Sequence, residues 1–149
     1  RMHESGCYQI SLACESSNQD ILDGVGKRLK VEAIKPAIDN ARKAGLSPHT
    51  FWMVGYPHEK FEDIEHTIKF AGECGADSYS LAILNPLPGT PIYRQVMKEN
   101  LWWPGRDASQ MMFRNSLIRV NGFSSPEEFE KFVEEYSRKL NKSDYLHQT

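Results

Sequence analysis

Three short runs hold most of the side chains that could do chemistry: Cys14-Glu15-Ser16-Ser17, Val54-Gly55-Tyr56-Pro57-His58-Glu59 and Leu84-Asn85-Pro86-Leu87-Pro88-Gly89-Thr90. A carboxylate such as Glu15 only accepts hydrogen bonds, while a serine hydroxyl both donates and accepts. Together they suit the binding of a polar small molecule. Each group also has a purely structural use. Glu15 could cap a helix beginning near Gln19, and Glu59 could cap one beginning at Phe61. His58 could be a solvated turn residue, and Pro86, Pro88 and Gly89 could simply shape a loop. The cysteines Cys7, Cys14 and Cys74 match no disulfide or zinc spacing. Without a short Cys-rich run they cannot hold an iron–sulfur cluster by themselves. They read as free thiols in a reducing, cytoplasmic setting. His3, His49 and His66 have no partner at ligand spacing, so no metal ligand is assigned. No residue is assigned to catalysis.

The elements that must position these runs alternate strand and helix. Strands are predicted near residues 8–14, 49–55 and 78–84. Helices are predicted over 19–25, 31–44, 61–74 and 92–99, the second from its stripe of Ile34, Ala37, Ile38 and Ala41. Ser124 or Ser125 caps a last helix, with Pro126 at its first position and Phe129, Phe132, Val133 and Tyr136 on its apolar side. The tail from Asn141 is expected to fray. Strand–helix alternation implies parallel βα units, whose functional groups gather at the C-terminal ends of the strands. The three chemical runs lie at those ends.

Composition narrows the classes further. The 149 residues carry a net charge of −2, with 18 Lys and Arg scattered along the chain, so nucleic-acid binding has no support. No apolar run reaches the roughly 18 residues a membrane span needs. The opening Arg1-Met2-His3-Glu4-Ser5-Gly6 reads as the end of a helix, so the chain is expected to start inside an element.

The three runs, in order and spacing, resemble the fourth to sixth strands of radical S-adenosylmethionine (radical SAM) barrels, most of all the branch joined to cobalamin-binding domains. Ala13-Cys14-Glu15-Ser16-Ser17-Asn18-Gln19, then Leu22-Asp23 and Lys27, stand where that branch reads Gly-x-Glu-Ser-Gly-Ser-Gln, Leu-Asp and Lys. Val54-Gly55-Tyr56-Pro57-His58-Glu59-Lys60 is similar to Val-Gly-x-Pro-Gly-Glu-Thr, and Thr67 to Ala71 to the helix that follows. Pro86-Leu87-Pro88-Gly89-Thr90-Pro91-Ile92-Tyr93 is similar to Pro-x-Pro-Gly-Thr-Pro-x-Tyr. Departures are Ala13, Ser17 and His58 at family glycines and Lys60 at a threonine. The cluster motif, Cys-x3-Cys-x2-Cys, would lie upstream of Arg1.

The resemblance implies an α/β fold: parallel βα units forming part of a TIM-like barrel over 1–100, with a helical extension over 101–149. It implies a whole enzyme that cleaves SAM reductively at a 4Fe–4S cluster for radical or methyl-transfer chemistry on a small-molecule substrate, with cobalamin as a further cofactor of the branch. Glu15, assisted by Ser16 or Ser17, would accept from ribose hydroxyls or the amino group. Lys27 would face the methionine carboxylate. Met53 and Val54 would flank the adenine, and backbone groups of Ile83 and Leu84 would pair with its edge. Glu15, Lys27, Val54 and Leu84 are expected to converge on one cleft. The inner sheet face is expected to include Phe51, Met53, Leu81 and Ile83. An unpaired β1 edge predicts a homodimer or strand exchange. The alternative reading is a non-catalytic structural or oligomerisation module. A phosphate-binding barrel fragment lacks the glycine-rich loop it would need.

Overall fold

The computed structural model describes residues 1–112 and 114–141. The elements are β1 (Gln9–Glu15), α1 (Gln19–Gly24), α2 (Ile34–Lys43), β2 (Ser47–Val54), α3 (Phe61–Glu73), β3 (Ser78–Ile83), α4 (Pro91–Glu99) and α5 (Pro126–Asn141). Short 3-10 turns occupy Val31–Ala33 and Ala108–Gln110. The three strands lie side by side in chain order, and both pairings are parallel. This is the α/β arrangement that the alternation predicts, parallel βα units forming part of a TIM-like barrel. The tail beyond Asn141 lies outside the described residues.

The strand period of two sorts the side chains between faces. Thr50, Trp52 and Val54 of β2, with Tyr79, Leu81 and Ile83 of β3, are buried. Trp52, Val54, Tyr79, Leu81 and Ile83 share one core with Ile34 and Ile38 of α2, Ile64, Ile68 and Ala71 of α3, and Phe129, Val133 and Leu140 of α5. Trp52 is satisfied in this apolar setting by donating from Nε1 to Thr50 Oγ1 at 2.9 Å. Phe51 pairs in register with Ser80, and Met53 with Ala82, on the more open face. Phe51 is 41% exposed there. The expected inner face is therefore corrected. Phe51 and Met53 belong to it, whereas Leu81 and Ile83 point to the helices, because each sits one residue out of phase with Ser80 and Ala82.

Of the predicted α2 stripe, Ile34, Ile38 and Ala41 are buried and Ala37 is exposed. The start of α5 matches its sequence signal: Ser125 Oγ accepts from the Glu128 amide at 3.1 Å, and Pro126 opens the helix where its missing N–H costs least. Cys14 and Cys74 are buried free thiols. Burial, then the neighbouring Cys74, pushes the Cys14 thiol up to about 12.

Candidate functional site

Glu15 owes its position to a break in the ladder. The register shifts between Ala13 and Glu15, and Glu15 takes the left-handed region at φ 66. Such a conformation costs a non-glycine residue on the order of 1–3 kcal/mol, and bulges of this kind re-aim a side chain. The loop behind it is tied to α3. The hydroxyls of Ser16 and Ser17 lie 3.4 and 3.1 Å from Thr67 Oγ1, and Ser17 Oγ is 2.7 Å from His66 Nδ1. Asn18 Nδ2 donates to Asp63 Oδ1 at 3.1 Å. Asn18 also caps α1, its side chain accepting from the Asp20 amide. Both serines are buried.

Lys27 is placed by the end of α1. Gly26, at φ 70, donates to Asp23 O at 3.1 Å, and the Lys27 amide donates to Leu22 O at 2.8 Å. These two bonds form a Schellman cap, for which glycine is the favoured left-handed residue. The cap brings Lys27 Nζ to 3.1 Å from Glu15 Oε1, with both side chains partly exposed. The two face a cavity of about 270 Å³ lined by Glu15, Gly26, Lys27, Met53, Tyr56 and Leu84, with Val25 and Ile92 at its sides. A Cβ on Gly26 would meet nothing within 4 Å. Behind Tyr56 and Leu84, a second apolar cluster of Val96 and Ile118 supports this wall.

The wall residue Tyr56 sits in a turn that Glu59 holds. The Glu59 Oε2 atom accepts from the Gly55 amide at 2.6 Å and the Tyr56 amide at 3.0 Å. Glu59 is 3% exposed, and its other oxygen, Oε1, is buried with no hydrogen-bond partner. Burial outweighs the two amide bonds and pushes its carboxyl up to about 7. The helix-capping role expected for Glu59 falls instead to Asp63, whose Oδ2 accepts from the Lys60 amide at 3.4 Å at the start of α3. His58 takes φ 63 and places Nε2 2.5 Å from Glu99 Oε2 of α4. The family glycine it replaces is thus explained by the backbone. Thr90 Oγ1 accepts from the Tyr93 amide at 3.1 Å and starts α4 behind Pro91, so the proline-rich run is a helix-start device.

The expected site residues divide accordingly. Glu15, Lys27, Met53 and Leu84 meet at one cavity. Ser16 and Ser17 turn to α3 and hold the loop that carries Glu15. Val54 is fully buried in the main core with Ile83, since both point to the helix side of the sheet, one residue out of phase with Met53 and Leu84. The Leu84 amide donates to Val54 O at 2.9 Å, so it is committed within the sheet. Tyr56 and Gly26 join the cavity wall without having been singled out. Their signals were the position after Val54-Gly55 and a glycine just past a short helix.

Residues 1–71 match the model of the radical SAM superfamily. Over 147 residues the chain is 28% identical to the cytidylyl-2-hydroxyethylphosphonate methyltransferase of Streptomyces wedmorensis, covering 94% of this chain and 28% of that one. It is 33% identical over 100 residues to an uncharacterized methyltransferase of Pyrococcus horikoshii, covering 67% and 22%. An anaerobic magnesium-protoporphyrin IX monomethyl ester cyclase of Rubrivivax gelatinosus shares 28% over 93 residues, covering 62% and 17%. The chain belongs to the radical SAM superfamily. It spans about a quarter of the length of the first two of these relatives.

Family membership implies SAM and a 4Fe–4S cluster, and the cavity fits the first. A carboxylate beside a lysine can exchange partners with a zwitterion or take ribose hydroxyls. Met53, Leu84 and Ile92 offer apolar surface for a flat base, and the bare Gly26 leaves room. The cluster does not fit these residues: Cys14 and Cys74 are buried, and the described residues hold no group of three or more His, Cys, Asp or Glu arranged for a metal. No helix among them is long and apolar enough to cross a membrane.

Proposed function

We propose that this chain supplies the SAM-contacting wall of a radical SAM enzyme, and that the whole enzyme performs methyl transfer or a related radical reaction on a small molecule. The observation that carries the reading is the Glu15–Lys27 pair, 3.1 Å apart at one cavity with Met53 and Leu84. Glu15 accepts from the ribose hydroxyls or the amino group, Lys27 faces the carboxylate, and Met53 with Leu84 flanks the adenine. Ser16 and Ser17 act through Glu15 by fixing its loop to α3. SAM, when bound beside a reduced cluster, supplies an activated C5′–S bond. Two relatives named as methyltransferases support methyl transfer. Cobalamin is proposed on the branch resemblance alone. With no cysteine placed for a cluster, these 149 residues by themselves bind SAM weakly and turn over nothing. The free edge of β1 is the place where a homodimer or an exchanged strand would pair.

Calorimetry on the cluster-loaded whole enzyme tests the site. Glu15→Ala removes a charge-assisted acceptor and should weaken SAM binding by about 1.5–3 kcal/mol. Leu22→Ala, at a fully buried position, should lower stability by about 2–5 kcal/mol and leave the SAM affinity of the folded protein unchanged. If Glu15→Ala binds SAM like the wild type, Glu15 is only a structural residue and the assignment fails.

A further inference from the structure

Glu59 is the one buried carboxylate among the described residues, no ion pair includes it, and it closes the turn that presents Tyr56 to the cavity. Its Oε2 gathers the Gly55 and Tyr56 amides. Its own amide returns to Tyr56 O at 3.0 Å, and its carbonyl accepts from Asn121 Nδ2 at 3.3 Å. The turn is thereby closed on itself, and Tyr56, the residue it presents, is both cavity wall and core. No slack exists behind it: a Cβ on Gly55 would lie 2.9 Å from Phe129 of α5.

The groups around Glu59 offer no countercharge. Asp63 of α3 is the charged group that acts on it, and its sign is the same. The segment before α5 contributes the neutral amide of Asn121, and α5 contributes the phenyl ring of Phe129. A neutral carboxyl is the less costly form in such surroundings, even though a proton on Oε1 would meet no acceptor. An ionised one leaves Oε1 charged, buried and unsatisfied, which costs far more than a hydrogen bond. The ionised form can relax only by admitting water to Oε1 or by moving the turn.

We propose that Glu59 is a positioning residue for the cavity and a proton-operated one: its neutral carboxyl seats Tyr56 in the wall, and loss of the proton opens the turn and reshapes the cavity. The inference concerns the cavity's form and needs no ligand, so it survives or fails separately from the SAM reading.

NMR on the chain itself decides the matter. Amide signals of Gly55 and Tyr56, and methyl signals of Met53, Leu84 and Ile92, are followed against pH. They should move together, with one midpoint near the value of about 7 for the buried carboxyl. Glu59→Gln should abolish that shared step and hold the methyl signals at their low-pH positions. Two results would overturn the proposal. One is a midpoint in the ordinary carboxylate range of about 4. The other is a step in the two amides that leaves the cavity methyls unmoved. Should the glutamine variant fold poorly, the side-chain carboxyl carbon signal of Glu59, followed over the same pH range in the wild type, assigns the step to Glu59 or denies it.

Discussion

The side-chain amide of Asn141 holds both backbone polar groups of Tyr79: Oδ1 accepts from the Tyr79 amide at 3.1 Å, and Nδ2 donates to the Tyr79 carbonyl at 3.0 Å. Asn141 is the last residue of α5, and Tyr79 is the second residue of β3. One amide thus does what a neighbouring strand would do, on the outer edge of β3. An open edge invites pairing with other chains, and this contact blunts that edge while anchoring α5 to the sheet.

Asn141→Ala should therefore lower stability by about 1–2 kcal/mol, the net worth of two neutral hydrogen bonds. It should also speed hydrogen exchange at the Tyr79 amide more than at Leu81. Denaturant unfolding and exchange mass spectrometry measure both. Unchanged exchange at Tyr79 would show that the edge is protected by something else.

Gly55 combines two demands, φ 87 and a site where a Cβ would approach Phe129 Cε1 at 2.9 Å. Gly89 has φ 90 with nothing within 4 Å of its Cβ position. Gly89→Ala should cost only the backbone strain, about 1–2 kcal/mol. Gly55→Ala should cost that and about 1–3 kcal/mol more for overpacking. Equal losses in denaturant unfolding would mean that Phe129 yields without cost.

Glu59 also sets a sign for stability against pH. Its carboxyl lies at about 7 in the fold, above the ordinary 4.5. Between those values the folded chain holds a proton that the unfolded chain has lost. Its contribution is fully present below about 4.5, falls as pH rises to about 7 and is flat beyond. The change is about 3 kcal/mol at 1.36 kcal/mol per unit. The difference in unfolding free energy between wild type and Glu59→Gln, taken at pH 5 and pH 8, isolates it. A difference that does not vary with pH contradicts the assignment.

His58 carries opposed effects. Glycine there would relieve a left-handed residue, worth about 1–2 kcal/mol, and would remove an exposed pair with Glu99, worth about 0.2–1 kcal/mol. The backbone effect is the larger, so His58→Gly should raise the melting temperature by a few degrees. A lower melting temperature would show that the link from the β2 loop to α4 matters more than its exposure implies.

Much of the molecule was legible in the residues alone. The periods of β1 to β3 and of α2, α3 and α5 are local properties, and so is the Ser125-Pro126 start of α5. The resemblance of the three strand-end motifs implied that Glu15, Lys27, Val54 and Leu84 converge on one cleft; Glu15, Lys27 and Leu84 do line one cavity, joined by Met53, while Val54 lies in the core. The phase of each strand was not legible where both faces carry apolar residues. Phe51 and Leu81 look alike in sequence, and only the in-register pairing of Phe51 with Ser80 assigns them to opposite faces. The left-handed turn at Glu15 follows from a ladder slip against β2, which needs the partner strand to exist. Ser16 and Ser17 turn from the cavity to Thr67 and His66, some fifty residues on. Glu59 becomes a buried staple rather than a helix cap for the same reason: its burial is made by Phe129 and Asn121 packing around its turn. A local sequence specifies which groups are present and which conformations they favour. Which of them lose their water is decided by distant segments that close over them.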